Sequence, residues 1–246
     1  MSKWVVGCLI AVLLCVGAVG AVLYFFVQQG KEVEEEMRQV AVAYANLNEK
    51  HPFQPQADGL LDPQRVEKFF EVRRPVAAAA RDLMTGLKDR GFVDKVRTAF
   101  SIGPKLGKSH VDALTAAAAS LEEYRYHADE LYFALRENAS REEARRDAAL
   151  SEVYEAYRKF RESLGQLDDR QGAQGFVDLL EATPPGRLNV PEANRTLLAQ
   201  HKQAAIETVQ AYVLDVGLRR FREELRAIDE RSRAPATPAP ADVEKK

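Results

Sequence analysis

Cysteine is almost missing from this chain: 246 residues hold two, Cys8 and Cys15. Both fall in one apolar run, so the polar remainder can form no disulfide and offers no thiol chemistry. No Cys-x-x-Cys-His stretch exists to attach a haem covalently. A surplus of charge is also missing. Lys and Arg number 35 against 37 Asp and Glu, a net charge of −2, which removes the electrostatic footprint of a nucleic-acid binder. Strand signals are absent too, since no stretch alternates apolar and polar residues between turn residues. A hydrophobic fraction of 46% beside 29% charged residues excludes a chain disordered throughout.

What is present divides sharply. Trp4 to Val27 is 24 residues without a charge. As a helix it reaches about 36 Å, enough for a hydrocarbon core of about 30 Å. Trp4 stands at one edge and Tyr24, Phe25 and Phe26 at the other, as in an aromatic belt. A cleaved signal ending at Ala18-Val19-Gly20 competes with an uncleaved anchor, but Val22 to Val27 carry the run past that site. Val5-Val6-Gly7-Cys8 resembles a lipobox, yet has no apolar core before it. The expectation is a lipid-embedded anchor over residues 4–27 behind a short tail, 1–3. Gly7, Ala11 and Cys15 recur every fourth residue, a spacing that lets another membrane helix approach closely. Lys3 on one flank and Lys31 with Arg38 on the other nearly tie the positive-inside count. A run at the very N-terminus favours a translocated body, hence a bacterial inner-membrane protein with its C-terminal body in the periplasm.

Residues 31–232 read as helices. Val33, Met37, Val40, Tyr44 and Leu47 make one stripe, ending near Asn48. His51 to Pro63 contains three prolines and a glycine and reads as an extended connection. Asp62 is placed to cap a helix beginning at Pro63, with Val66, Phe69, Val76, Ala80, Leu83 and Leu87 on its buried side and a kink expected at Pro75. A short helix over 92–100, a Gly/Pro loop over 101–108 and a long helix from Ser109 to Asn138 follow. Ser140 with Glu143 suggests a capping box for the next helix, whose stripe is Leu150, Val153, Tyr157, Phe160, Leu164 and Leu167. The last long helix begins near Pro191 and continues through Leu198, Ala205, Val209, Tyr212 and Val216, with a stutter near Gly217. Ala234 to Ala241, APATPAPA, favours an extended tether, so 233–246 is a tail. The fold expected is all-α: an elongated antiparallel helical bundle on one N-terminal transmembrane helix. This plan resembles that of bacterial envelope proteins, a likeness of composition that carries no function.

Chemical motifs are few. Gly103 to Ser109, GPKLGKS, ends like a phosphate-binding loop, but has three residues between its glycines where four are required. His127 has Glu123 and Glu130 at helical reach, half of a possible metal site, without the Glu-x-x-His pairs of a di-iron bundle. No nucleophile, base and orienter assemble, so neither catalysis nor a cofactor is expected. Arg73-Arg74, Arg145-Arg146 and Arg219-Arg220 read as solvated faces. Asn138 and Asn194 head glycosylation sequons. Tyr124, Arg125, Tyr126 and His127 form a mixed aromatic and basic patch of the kind found at protein interfaces; the competing reading places these tyrosines with their rings in the core and hydroxyls at its rim. The interaction residues expected are Tyr124, Tyr126, His127 and, on the Pro-rich segment, Phe53. The partner expected is another envelope protein or a second copy; a small ligand held between helices is the alternative.

Overall fold

The computed structural model describes residues 32–88, 92–165 and 190–220. The run 4–27, the segment 166–189 and the tail after 220 lie outside the described residues, as do the expectations that fall on them. Among the described residues no helix is long and apolar enough to cross a membrane. The fold is all-helical, with no strand among the described residues.

Helix α1 covers 32–50, and its stripe is as expected: Val40, Tyr44 and Leu47 are buried. Helix α2, Pro63–Lys88, is capped by Asp62, whose Oδ1 accepts from the amides of Gln64 (2.8 Å) and Arg65 (3.3 Å). It runs through Pro75. The bond that proline deletes would have gone to the carbonyl of Glu71, and both residues are exposed, so water can take the bond's place.

The Gly/Pro loop expected over 101–108 is helix. Helix α3 runs Phe92–Ala117 without a break. Gly107 serves close approach rather than turning: a Cβ there would meet Val40 Cγ1 at 2.8 Å, whereas one on Gly103 would make an ordinary contact with Met37 Sδ at 3.6 Å. α1 thus seats against α3 along glycine. The chain breaks later, at Ala118 with φ of 49°, inside the span expected to be one long helix. Ser120 and Glu123 form the start signal there, and Ser120 Oγ accepts from the Glu123 amide at 3.1 Å. Helix α4 is Leu121–Ser140.

Ser140 ends α4 and caps nothing beyond it; its hydroxyl donates back to the carbonyl of Glu137. Helix α5, Ala148–Gly165, is capped by Asp147, which accepts from Ala149 (2.8 Å) and Leu150 (3.1 Å). Asn138 clasps the α4–α5 connection, accepting from the Asp147 amide and donating to its carbonyl and to Ser151. The expected final long helix is segmented into α6 (Glu192–Gln200), α7 (Lys202–Glu207), a 3-10 turn (Val209–Ala211) and α8 (Tyr212–Arg220). At the second joint, Thr208 Oγ1 donates to the carbonyl of Ala204, the back-bonding that bends helices. Helix α2 packs along α3 and touches the 3-10 turn, while α4 packs on α5. One hydrophobic core joins them all.

The two helical glycines 107 and 217 should respond oppositely to alanine. Gly107→Ala drives a methyl into Val40, and overpacking of this kind costs about 1–3 kcal/mol. Gly217 has nothing within 4 Å of its would-be Cβ, so Gly217→Ala should gain about 0.5–1 kcal/mol from helix propensity alone. Urea titrations of the full chain read both, and midpoint shifts of the same sign would contradict the close approach at Gly107.

Candidate functional site

Among the described residues the most deeply buried charge is on α2. Val66, Phe70, Ala77 and Ala80 mark its buried stripe at spacings of four and three, and Arg73 occupies the stripe's middle. Its side chain is 0% exposed. Arg73 is therefore core, not the solvated face expected of an Arg-Arg pair. Its Nη1 donates to Asp215 Oδ2 at 2.7 Å and to the Tyr124 hydroxyl at 3.2 Å. Nη2 donates to Tyr157 at 3.0 Å and Tyr132 at 3.4 Å, and Nε to Thr208 Oγ1 at 3.4 Å. Tyr124 in turn donates to Asp215 Oδ1 at 2.7 Å, and Tyr132 donates to Oδ2. The Phe69 ring lies 5.2 Å from the guanidinium carbon, close enough for a cation–π contact. One cation, one anion and three phenols from α2, α4, α5 and α8 thus satisfy one another.

Electrostatics follow from that closure. Burial is the largest single influence and works against a charge on Arg73, but the Asp215 carboxylate together with the oxygens of Tyr124, Tyr157 and Tyr132 more than reverses it, and the arginine's pKa stands well above its ordinary value. Burial raises Tyr124, Tyr132 and Tyr157, chiefly by itself. The phenols stay protonated, as hydrogen-bond donation to a carboxylate requires. Beside this knot His110, also 0% exposed, meets the Tyr44 hydroxyl through Nδ1 at 2.9 Å and packs edge-on to Tyr124 with centroids 4.2 Å apart. Its Nε2 is buried without a partner. Burial, then the charge of Arg73, pushes its pKa down to about 3, so the ring is neutral.

A second feature is open to solvent. The connection 51–62 turns at Gly59, whose φ of +71° suits glycine, and is stapled down by Asn194. That side chain accepts from the Leu61 amide (2.9 Å) and donates to the Gly59 carbonyl (2.9 Å). Between this strap and α4 lies a groove of about 270 Å³, lined among others by Phe53, Gln54, Leu60, Arg65, Tyr126 and His127. Phe53 and Tyr126 rings sit 5.4 Å apart, tilted 47°. His127 lines the floor at 2% exposure, stacked on Phe69, its Nδ1 bonded to the Glu123 carbonyl at 2.8 Å. Burial lowers its pKa. Leu60 is one of two large hydrophobic residues exposed among those described, at 37%. No family model, curated protein or solved structure matches this chain.

The structure thus gathers Phe53, Tyr126 and His127 at one groove and sends Tyr124, the fourth residue expected there, inward, where at 2% exposure its hydroxyl serves Asp215. The half metal site does not form: Glu123 holds Arg65, Glu130 lies 3.4 Å from Asn194 Nδ2, and among the described residues no cluster could hold a metal. The GPKLGKS stretch is helix interior, with no loop amides to cradle a phosphate. Both sequon asparagines, Asn138 and Asn194, are buried and bonded. The Arg73 knot did carry a sequence signal: a charge on the apolar stripe of α2, with Asp215 beside Val216 and tyrosines on the stripes of α4 and α5. Sequence reasoning passed over it because adjacent arginines most often mark a wet face.

Proposed function

We propose that this chain is a membrane-anchored helical-bundle protein of the bacterial envelope that works by binding another protein and does no chemistry of its own. Residues 4–27 hold it in the bilayer, with the body on the periplasmic side. The observation that carries the binding role is the groove between the 51–62 strap and α4. It presents tilted aromatic rings, an exposed leucine, amides and a guanidinium on one concave surface, the mix enriched where proteins meet. The strongest ionisable cluster, in contrast, is spent on itself inside the core. A photo-reactive amino acid in place of Gln54 in the full-length chain should crosslink in cells to one envelope protein or to a second copy. The same group in place of Glu152, exposed on α5, should not. Equal adducts from both positions, or none from position 54 either in the full chain or in one ending at residue 228, would refute the groove as the interface.

One observation favours a second reading. A volume of about 270 Å³ approaches the lower bound of small-molecule pockets, about 300 Å³. A ligand that binds only the folded state would raise the melting midpoint, so a thermal-shift screen against metabolites separates a sensory or ligand-binding role from the adaptor role.

A further inference from the structure

We propose that the groove's resident occupant is the chain's own Pro/Ala segment, Ala234–Ala241, which any partner must displace; this rests on the groove being the interface proposed above. The chemistry of the two parts matches. Pro235, Pro238 and Pro240 bias their segment toward the polyproline II conformation. Such segments dock between aromatic rings, with side-chain donors reaching their unpaired carbonyls. Phe53 and Tyr126 supply the rings, and exposed Gln54 and Gln56 supply donors. Arg65 engages Glu123 through Nη1 and adds a guanidinium at the same wall. Arg231 and Arg233 precede the segment, and Asp62 lines the groove, so these charges are opposite in sign and attract.

The place where the described chain ends makes the reach short. On α8, Leu218 shares a small crevice with Tyr124, Arg125, Ala128 and Asp129 of α4. Tyr126 and His127, on the same turns of α4, line the groove. The chain therefore leaves α8 against the turns of α4 that build the groove, about one helix diameter, 10–12 Å, away. Fourteen residues, 221–234, lie between Arg220 and Pro235, and a chain that long spans up to about 50 Å when extended. Tethering at this range gives an effective concentration near the millimolar scale, so weak intrinsic affinity suffices to keep the groove occupied.

The test uses a labelled peptide of residues 229–246 and two proteins, the full chain and the chain ending at residue 228. The shortened chain should bind the peptide saturably in the micromolar range by fluorescence anisotropy. The full chain, its groove already filled, should bind at least tenfold more weakly. A peptide with Pro235, Pro238 and Pro240 replaced by serine should lose at least tenfold, a comparison that leaves the protein's fold untouched. Phe53→Ala in the shortened chain should lose a similar factor. Equal binding by the two chains, no loss with the serine peptide, or no saturable binding up to 1 mM (about the tethered concentration) would each overturn the proposal. Crosslinking from position 54 in the shortened chain separates the two ideas. If the groove receives a partner, adducts increase once the tail is gone. If no protein adduct forms while the peptide still binds, the partner reading fails and the tail reading stands.

Discussion

Arg73→Met should destabilise the folded chain by about 3–5 kcal/mol, the cost of leaving a buried carboxylate without its cation. Asp215 would keep the Tyr124 and Tyr132 hydroxyls, but two phenols do not neutralise a charge. Asp215→Leu should cost a similar amount, since it strands the guanidinium among three phenols. The informative variants are the combined ones. Arg73→Met with Asp215→Leu removes both charges and recovers much of the loss, because a buried ion pair recoups little more than its own desolvation. It still leaves phenols that have lost their partners, at about 1–3 kcal/mol for each buried unsatisfied group. Adding Tyr124→Phe, Tyr132→Phe and Tyr157→Phe should bring stability back to within about 1–2 kcal/mol of the starting protein, since apolar groups of similar shape can replace such a network. Chemical denaturation of the series measures this. If the double variant proves no more stable than either single one, the two charges are not a pair.

Acid should weaken the protein well above the carboxylate range, through His110. Its folded pKa is pushed down to about 3, against an unfolded value near 6.5. The unfolded chain therefore takes up the proton first. The contribution is complete above pH 6.5 and is lost progressively as the pH falls from 6.5 toward 3. Between pH 7.5 and 4.5 one such histidine removes about 2–3 kcal/mol. The geometry gives the reason: Nε2 has no acceptor, so an added proton would sit unpaired near the Arg73 charge. His127 is shifted the same way, by burial first, and adds to the slope. His110→Asn can keep a hydrogen-bond partner for the Tyr44 hydroxyl while removing the titration. The stability difference between the two proteins should shrink by about 2–3 kcal/mol from pH 7.5 to 4.5. A difference constant across that range would show that His110 does not titrate in this window.

Much of the fold was legible because helical period survives in the sequence. The stripe of α1, the Leu150, Val153 and Tyr157 part of the α5 stripe and the Asp62 cap emerge where the residues place them. The errors share a cause. Glycine and proline at 103–107 suggested a loop because local preference says so, whereas what decides there is the approach of Val40, 67 residues earlier than Gly107. The Ser120–Glu123 start signal was missed because the apolar period runs on through Ala118, which makes one helix from Ser109 to Asn138 the simpler reading. The groove was half legible: aromatic neighbours at 126 and 127 and a Pro-rich strap were both visible, but their meeting depends on Asn194, which no local pattern connects to Gly59. Tyr124 differs from Tyr126 by two positions on a helix, about 200° of rotation, and that angle separates core from groove.

The Arg73–Asp215 bond also sets an order of events in the making of the protein. The two residues are 142 positions apart, and the carboxylate belongs to the last described helix. At a synthesis rate of about 5–20 residues per second, Arg73 is added to the chain roughly 7–30 s before Asp215. Through that interval α2, α3, α4 and α5 can associate only around an unneutralised guanidinium, which holds their shared core open. The core is neutral only once Asp215 has been made, so the closing of the bundle is expected to be a late, whole-chain event.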